Sequence, residues 1–116
     1  MLEVGCGVGN FLFPLLNLNK NLVIYACDFS AKAIDLLKTN LDYKTNDQRC
    51  FPFVCDIVKE NLCEKLENKE VDIVTLIFVL SAILPKNFNA VVQNIYKVNL
   101  KLRISFCSTS SNLSLS

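Results

Sequence analysis

Met1-Leu2-Glu3-Val4-Gly5-Cys6-Gly7-Val8-Gly9-Asn10 is the stretch that decides how this chain reads. A short apolar run, Met1–Val4, ends in glycines at alternate positions, with an acidic residue just ahead of the first, giving E-x-G-x-G-x-G. Beyond it, Phe11, Leu12, Leu15, Leu16 and Leu18 suit a helix over Asn10–Leu18 packed against a sheet. A glycine loop between a strand and a helix is the setting of a nucleotide-type site. Glycines allow a tight turn and close approach of backbone to ligand, and the helix start adds exposed N–H groups and a positive end. A dinucleotide fingerprint, G-x-G-x-x-G, would need glycine at position 10, where Asn10 stands; the third glycine comes one residue early. Glu3 would repel a pyrophosphate but suits an ammonium group. S-adenosylmethionine offers an ammonium, a sulfonium and an adenosine, and fits the loop better. The other readings are a structural glycine turn or a different nucleotide.

The rest of the chain supplies the frame. Leu22–Cys27, Phe51–Cys55, Val71–Val79 and Leu100–Phe106 read as strands. Ala31–Thr39, capped by Ser30, reads as a helix, as do Ile57–Leu66 and Asn87–Val98. Asn17–Asn21 is expected as a turn and Asn40–Asn46 as a polar loop. Strands alternating with helices predict an α/β fold, a doubly wound Rossmann-like sheet, parallel in the part present and incomplete on its C-terminal side; with the E-x-G-x-G-x-G loop after its first strand it is expected to be of class I methyltransferase type. An order 3-2-1-4-5 puts Phe51–Cys55 at the edge, where Pro52 is tolerated. Residues 1–106 are expected to form a partial S-adenosylmethionine-dependent domain, and residues 107–116 a disordered or divergent tail.

Two further carboxylates fall at strand ends, where open α/β sheets bind ligands. Asp28 would accept bonds from ribose hydroxyls; its alternative role is capping beside Ser30. Asp56 would accept a bond from the adenine amino group, with Ile57 packing on the ring; its alternative is capping the following helix. The cofactor set is therefore Glu3, Gly5, Gly7, Gly9, Asp28, Asp56 and Ile57. Leu80 and Ser81, after the fourth strand, are placed in the pocket for the methyl acceptor. Asp72 lies at the opposite end of that strand.

Composition narrows the alternatives. With 52% hydrophobic residues the body of the chain is no disordered segment, and a net charge of +1 gives no basic excess of the kind a dedicated nucleic-acid module shows. There are six cysteines, no C-x-x-C pair and no histidine, so no metal site is expected. Free thiols point to a reducing compartment, the cytoplasm, extending to the nucleus. The longest apolar stretch, Ile73–Leu84, is too short to span a bilayer, and no membrane association is expected. Leu80-Ser81-Ala82-Ile83 lacks the Asp/Asn-Pro-Pro-aromatic pattern of amino-group methyltransferases, and no cysteine has the setting of an activated nucleophile.

Leu2–Asn10, Tyr25-Ala26-Cys27-Asp28-Phe29-Ser30, Arg49-Cys50, Asp56 and Leu76–Ala82 together resemble the methyltransferase-like group that makes 3-methylcytidine in tRNA. Gln93-Asn94-Ile95-Tyr96-Lys97-Val98 is similar to the branch of that group acting on serine tRNAs. The resemblance covers residues 1 to 98. It implies a tRNA substrate methylated at cytidine N3 in the anticodon loop, with serine tRNAs and seryl-tRNA synthetase as partners. The family's following Lys-Pro-Gly turn and Arg-Asp-Tyr-Gly motif have no counterpart after Val98, and its upstream tRNA-contacting region is absent, so a truncated form is expected, with poor stability and little activity. The alternatives are an inactive remnant that binds cofactor or a partner weakly, and a small-molecule methyltransferase.

Overall fold

The computed structural model describes residues 1–77, 83–98 and, as backbone, 103–107. Within them the chain forms β1 (Leu2–Val4), α1 (Leu12–Leu18), β2 (Ile24–Asp28), α2 (Ala31–Lys38), α3 (Leu41–Thr45), β3 (Cys50–Val54), α4 (Leu62–Lys65), β4 (Ile73–Ile77), a 3-10 turn (Pro85–Asn87), α5 (Phe88–Tyr96) and β5 (Arg103–Cys107). The strands make one five-stranded sheet in the order β3-β2-β1-β4-β5. Each pairing is parallel, with Leu2 opposite both Tyr25 and Val74, Asp28 opposite Val54 and Ile77 opposite Cys107. All carboxyl ends therefore share one edge. The order reverses at β1, between β2 and β4, which creates the crevice where such sheets take ligands. This is the expected topology, and Pro52 does sit in the edge strand.

The period-two alternation of the strands separates two cores. Leu2, Val4, Val74 and Leu76 face Leu62, Leu66, Val91 and Ile95 from α4 and α5. Ile24 and Ala26 face the opposite side, with Leu12, Phe13 and Leu16 of α1 and Ile34 and Leu37 of α2. Among the described residues no helix is long and apolar enough to cross a membrane.

Three expected elements differ. The first helix begins at Leu12, not Asn10, because the glycine turn runs further: Gly9 N–H bonds Cys6 O at 3.1 Å and Phe13 N–H bonds Gly9 O at 3.2 Å. Pro14 then falls in the first turn, where its missing N–H costs nothing. The Asn40–Asn46 stretch is not a loop. Its two asparagines are caps, Asn40 Oδ1 accepting from Asp42 N–H at 2.8 Å and Asn46 Nδ2 donating to Asp42 O at 2.8 Å, with α3 between them. The helix expected over Ile57–Leu66 is reduced to Leu62–Lys65, since Asn61 caps it anew by accepting from Cys63 and Glu64 N–H groups. Leu80, Ser81 and the tail beyond Cys107 lie outside the described residues.

Arg49 ties the second core together. Its guanidinium donates to Leu16 O at 3.0 Å, Asn19 O at 2.9 Å, Leu22 O at 3.1 Å and Asn46 Oδ1 at 2.6 Å. It thereby satisfies carbonyls at the end of α1 and in the connection to β2 from the start of β3. Arg49→Ala is expected to lower the unfolding free energy by about 2 kcal/mol, measured by urea denaturation. Arg49→Lys should recover less than half of that, since a single ammonium cannot span the same set of acceptors.

Candidate functional site

The glycine loop is shaped by bonds to its neighbour strand. Gly5 and Cys6 N–H groups both donate to Cys27 O, at 2.7 and 3.0 Å. Gly7 N–H donates to Asp28 Oδ2 at 2.9 Å, while Asp28 Oδ1 accepts from Ser30 N–H at 2.9 Å. Asp28 thus joins the loop after β1 to the start of α2. The capping alternative weighed for Asp28 is partly realised, through the Ser30 amide, while Ser30 Oγ makes the helix cap itself, accepting from Ala33 N–H at 3.1 Å. A carboxylate has about four lone-pair sites, so two backbone bonds leave acceptor capacity for hydroxyl donors.

Two glycines carry different burdens. Gly9, at φ +96°, has Phe13 beneath it: an added Cβ would lie 2.6 Å from Phe13 Cδ2, so glycine is required by packing and by backbone conformation alike. Gly7, at φ +55°, has nothing within 4 Å of the same imagined atom. Open space above a constrained backbone is what a ligand lying against the loop would occupy.

Glu3 is the unusual side chain. It is only 2% exposed on a central strand, and its Oε1 has no hydrogen-bond partner. Burial, with the Asp28 charge adding to it, pushes its carboxyl up to about 8. Glu3 and Thr75 are paired across β1 and β4, so their side chains share one sheet face, and Thr75 Oγ1 is buried and unpartnered too. A buried carboxyl without a partner is costly for the protein alone and makes sense beside a polar or cationic ligand group. The loop, the open space and the orphaned oxygen together suit the ammonium end of an amino-acid-bearing nucleoside.

At the next strand end, Asp56 Oδ1 accepts from Val58 N–H at 3.0 Å and its own N–H donates to Glu60 Oε1 at 2.9 Å. Asp56 therefore caps a turn, leaving Oδ2 outside that bond. Ile57 is 7% exposed and belongs to the core with Leu62, Val91 and Ile95, presenting little surface at the rim. The structure brings Glu3, the glycines, Asp28 and Asp56 to one edge of the sheet; Leu80 and Ser81 lie outside the described residues.

Sequence reading missed Phe29 and Thr75. Phe29, directly after Asp28, is 78% exposed, an aromatic ring at the same rim. The signal was an aromatic residue next to a strand-end carboxylate. Thr75 was hidden within an apolar strand. Burial raises the Cys6 thiol to about 12 and the Cys50 thiol to about 11, so neither is a ready nucleophile, whereas a hydrogen bond with Cys27 lowers Cys55. Among the described residues no cluster of three or more His, Cys, Asp or Glu side chains is placed to hold a metal ion.

The family described as "Methyltransferase domain" matches residues 2–99. The human protein named tRNA N(3)-cytidine methyltransferase METTL6 is 53% identical over 98 residues, 84% of this chain and 34% of its own length. The Schizosaccharomyces pombe protein named tRNA N(3)-methylcytidine methyltransferase trm141 is 54% identical over 83 residues, 72% of this chain and 33% of its own. The chain thus spans about a third of the length of these curated relatives. Among solved structures, the glycopeptide N-methyltransferase MtfA complexed with S-adenosyl-L-methionine superposes with a TM-score of 0.73 at 15% identity, over 90% of this chain and 42% of that one, a likeness of fold.

Two outcomes follow from the geometry. Gly9→Ala is expected to lower stability by about 2–3 kcal/mol in urea denaturation, from the left-handed backbone and the Phe13 clash. Glu3 in the folded chain keeps its proton up to about pH 8, whereas an unfolded glutamate loses it near 4.5, so stability should fall as pH rises through that window. Glu3→Gln should match the unaltered chain below pH 4.5, lack this slope, and be more stable above pH 8 by on the order of 4 kcal/mol, read from denaturation midpoints across pH.

Proposed function

This chain belongs to the methyltransferase domain family, and we propose that its carboxyl-end crevice binds S-adenosylmethionine for transfer of a methyl group to N3 of a cytidine in tRNA. The observation that carries the cofactor reading is the buried Glu3 carboxyl, with an unpartnered oxygen, just ahead of a glycine loop that is open above Gly7. In this reading Glu3 meets the ammonium group, Asp28 accepts from the ribose hydroxyls, and Asp56 accepts from the adenine amino group, with Ile57 anchoring that segment from the core. Gly5, Gly7 and Gly9 let the backbone approach. The bound cofactor supplies an electrophilic methyl on a sulfonium; the chain's task is to hold and orient it.

The acceptor half of the proposal rests on the curated relatives, both named as N3-cytidine methyltransferases acting on tRNA. The ring nitrogen has its own lone pair, so the transfer needs no strong base. Leu80 and Ser81 are our choice for the pocket that takes the splayed-out base. Serine tRNAs, with seryl-tRNA synthetase as the accompanying partner, are the substrates proposed from the Gln93–Val98 run. Five free thiols among the described side chains favour a reducing compartment, and we place the reaction in the cytoplasm.

Calorimetric titration of the chain with S-adenosylmethionine tests the cofactor reading. Because Glu3 must give up its proton to face an ammonium, apparent affinity should rise by up to about tenfold per pH unit as pH approaches 8, and fall again once the ligand's own amino group loses its proton. Glu3→Gln should bind about tenfold or more weakly without the rise below pH 8, and Gly7→Ala should stay folded but lose binding. A folded chain that binds nothing would sink the assignment. Incubation with labelled cofactor and serine tRNA, with and without seryl-tRNA synthetase, tests the acceptor: label on cytidine N3 is expected, and label on another base or on a small molecule would overturn it.

A further inference from the structure

Asn94 lies in α5, 8% exposed, and spends its whole side chain on a distant segment. Its Oδ1 accepts from Leu62 N–H at 2.9 Å. Its Nδ2 donates to Ile57 O at 2.9 Å and to Glu60 O at 2.6 Å. These three backbone groups bracket the turn that follows Asp56. The turn is further tied by Glu60, whose Oε1 accepts from Asp56 N–H at 2.9 Å and whose Oε2 meets Lys65 Nζ at 3.0 Å.

The residues after Asp56 have a helical pattern, with Val58, Leu62 and Leu66 in register, yet α4 starts only at Leu62. In a helix the carbonyls of Ile57 and Glu60 would accept from N–H groups four residues on. Here the Asn94 amide takes both, and its oxygen takes the Leu62 N–H. A buried amide with its donors and acceptor satisfied by the backbone is a rigid clamp, and removing it strands polar groups on both sides. The clamp sits one residue from Asp56, while Asn94 itself is buried away from the rim.

We propose that Asn94 is a positioning residue for the adenine end of the cofactor site: the turn after Asp56 closes on its own carbonyl, with Glu60 N–H donating to Asp56 O at 2.8 Å, and from α5 Asn94 stops that turn from running on into α4 and so sets where the Asp56 carboxylate meets the exocyclic amino group. The inference rests on the reading that Asp56 faces adenine. It makes Asn94 a determinant of base selectivity in the cofactor, acting without touching it. The asparagine also gives Gln93-Asn94-Ile95 a role of its own beside the apolar face of α5.

The test uses the full chain and two probes, S-adenosylhomocysteine and S-inosylhomocysteine, which carries an oxo group where adenine has its amino group. The unaltered chain is expected to prefer the adenosine form by about tenfold or more, and Asp56→Ala to abolish that preference. Asn94→Asp keeps the shape and the acceptor but leaves at most one O–H donor for the two carbonyls; Asn94→Leu removes donor and acceptor. Each should weaken the adenosine ligand by about tenfold and the inosine ligand by less than about twofold, collapsing the ratio, while adding Asn94→Asp to Asp56→Ala should change the ratio no further. A merely structural asparagine would weaken both ligands alike, and that result overturns the inference, as does an unchanged ratio. If Asn94→Leu fails to fold, the near-isosteric Asn94→Asp decides. Lack of preference in the unaltered chain, or its survival in Asp56→Ala, would instead overturn the reading of Asp56.

Discussion

The Asp28 carboxylate, shared between Gly7 N–H and Ser30 N–H, is the contact on which the shape of this crevice depends. A glycine loop is soft by itself, because glycine gives up more conformational freedom on folding than any other residue. Here the softness is removed from outside. Cys27 O takes the Gly5 and Cys6 amides, and Asp28 takes the Gly7 amide, so the end of β2 fixes the turn after β1. The same carboxylate holds the Ser30 amide where α2 starts. Loop, strand end and helix start become one unit, and the open side of Gly7 is left toward the crevice.

Around that unit the site divides into two differently supported ends. The Glu3 end is built on adjacent central strands and is rigid because the sheet is. Its polarity is set against solvation: a carboxyl at 2% exposure with an orphaned oxygen stays protonated until something cationic or polar arrives. The Asp56 end stands on β3, the edge strand, whose ladder reaches Cys55, its N–H donating to Asp28 O at 2.9 Å, and on a turn closed by Glu60 N–H on Asp56 O at 2.8 Å. Side chains add to these bonds, Glu60 and Lys65 from the surface and Asn94 from the far helix. The family assignment through residues 2–99 agrees with this division, since the crevice is contained within the matched part.

What could be read from the sequence was local. The glycine loop, the strand ends carrying Asp28 and Asp56, the Ser30 cap and the strand order all follow from short patterns and from the rule that parallel strands need crossovers. Pro52 marked the edge strand. What could not be read depended on partners far along the chain. Ile57–Leu66 has a helical pattern, but Asn94, more than thirty residues on, claims its carbonyls at Ile57 and Glu60. Asn40 and Asn46 looked like loop residues because asparagine favours both turns and caps, and only the bonds to Asp42 separate the two. Arg49 stood out by resemblance alone; its grip on Leu16, Asn19 and Leu22 carbonyls requires β3 to lie beside β2. Ile57 is expected from the sequence to pack on the adenine ring, and it sits at 7% exposure in the core, because Asp56 turns the chain inward at once.

The central claim is spatial: one ligand of adenosine and amino-acid character spans the edge from Glu3 past Asp28 to Asp56. Backbone amide shifts of isotopically labelled chain, followed by NMR while S-adenosylhomocysteine is added, test it most directly. The account predicts saturable shifts at Glu3–Gly9, at Asp28–Ser30 and at Asp56–Val58, with the turn over residues 19–22 and the exposed face of α3 at the opposite side unmoved. Shifts confined to one of these three segments, or centred elsewhere on the sheet, would contradict it.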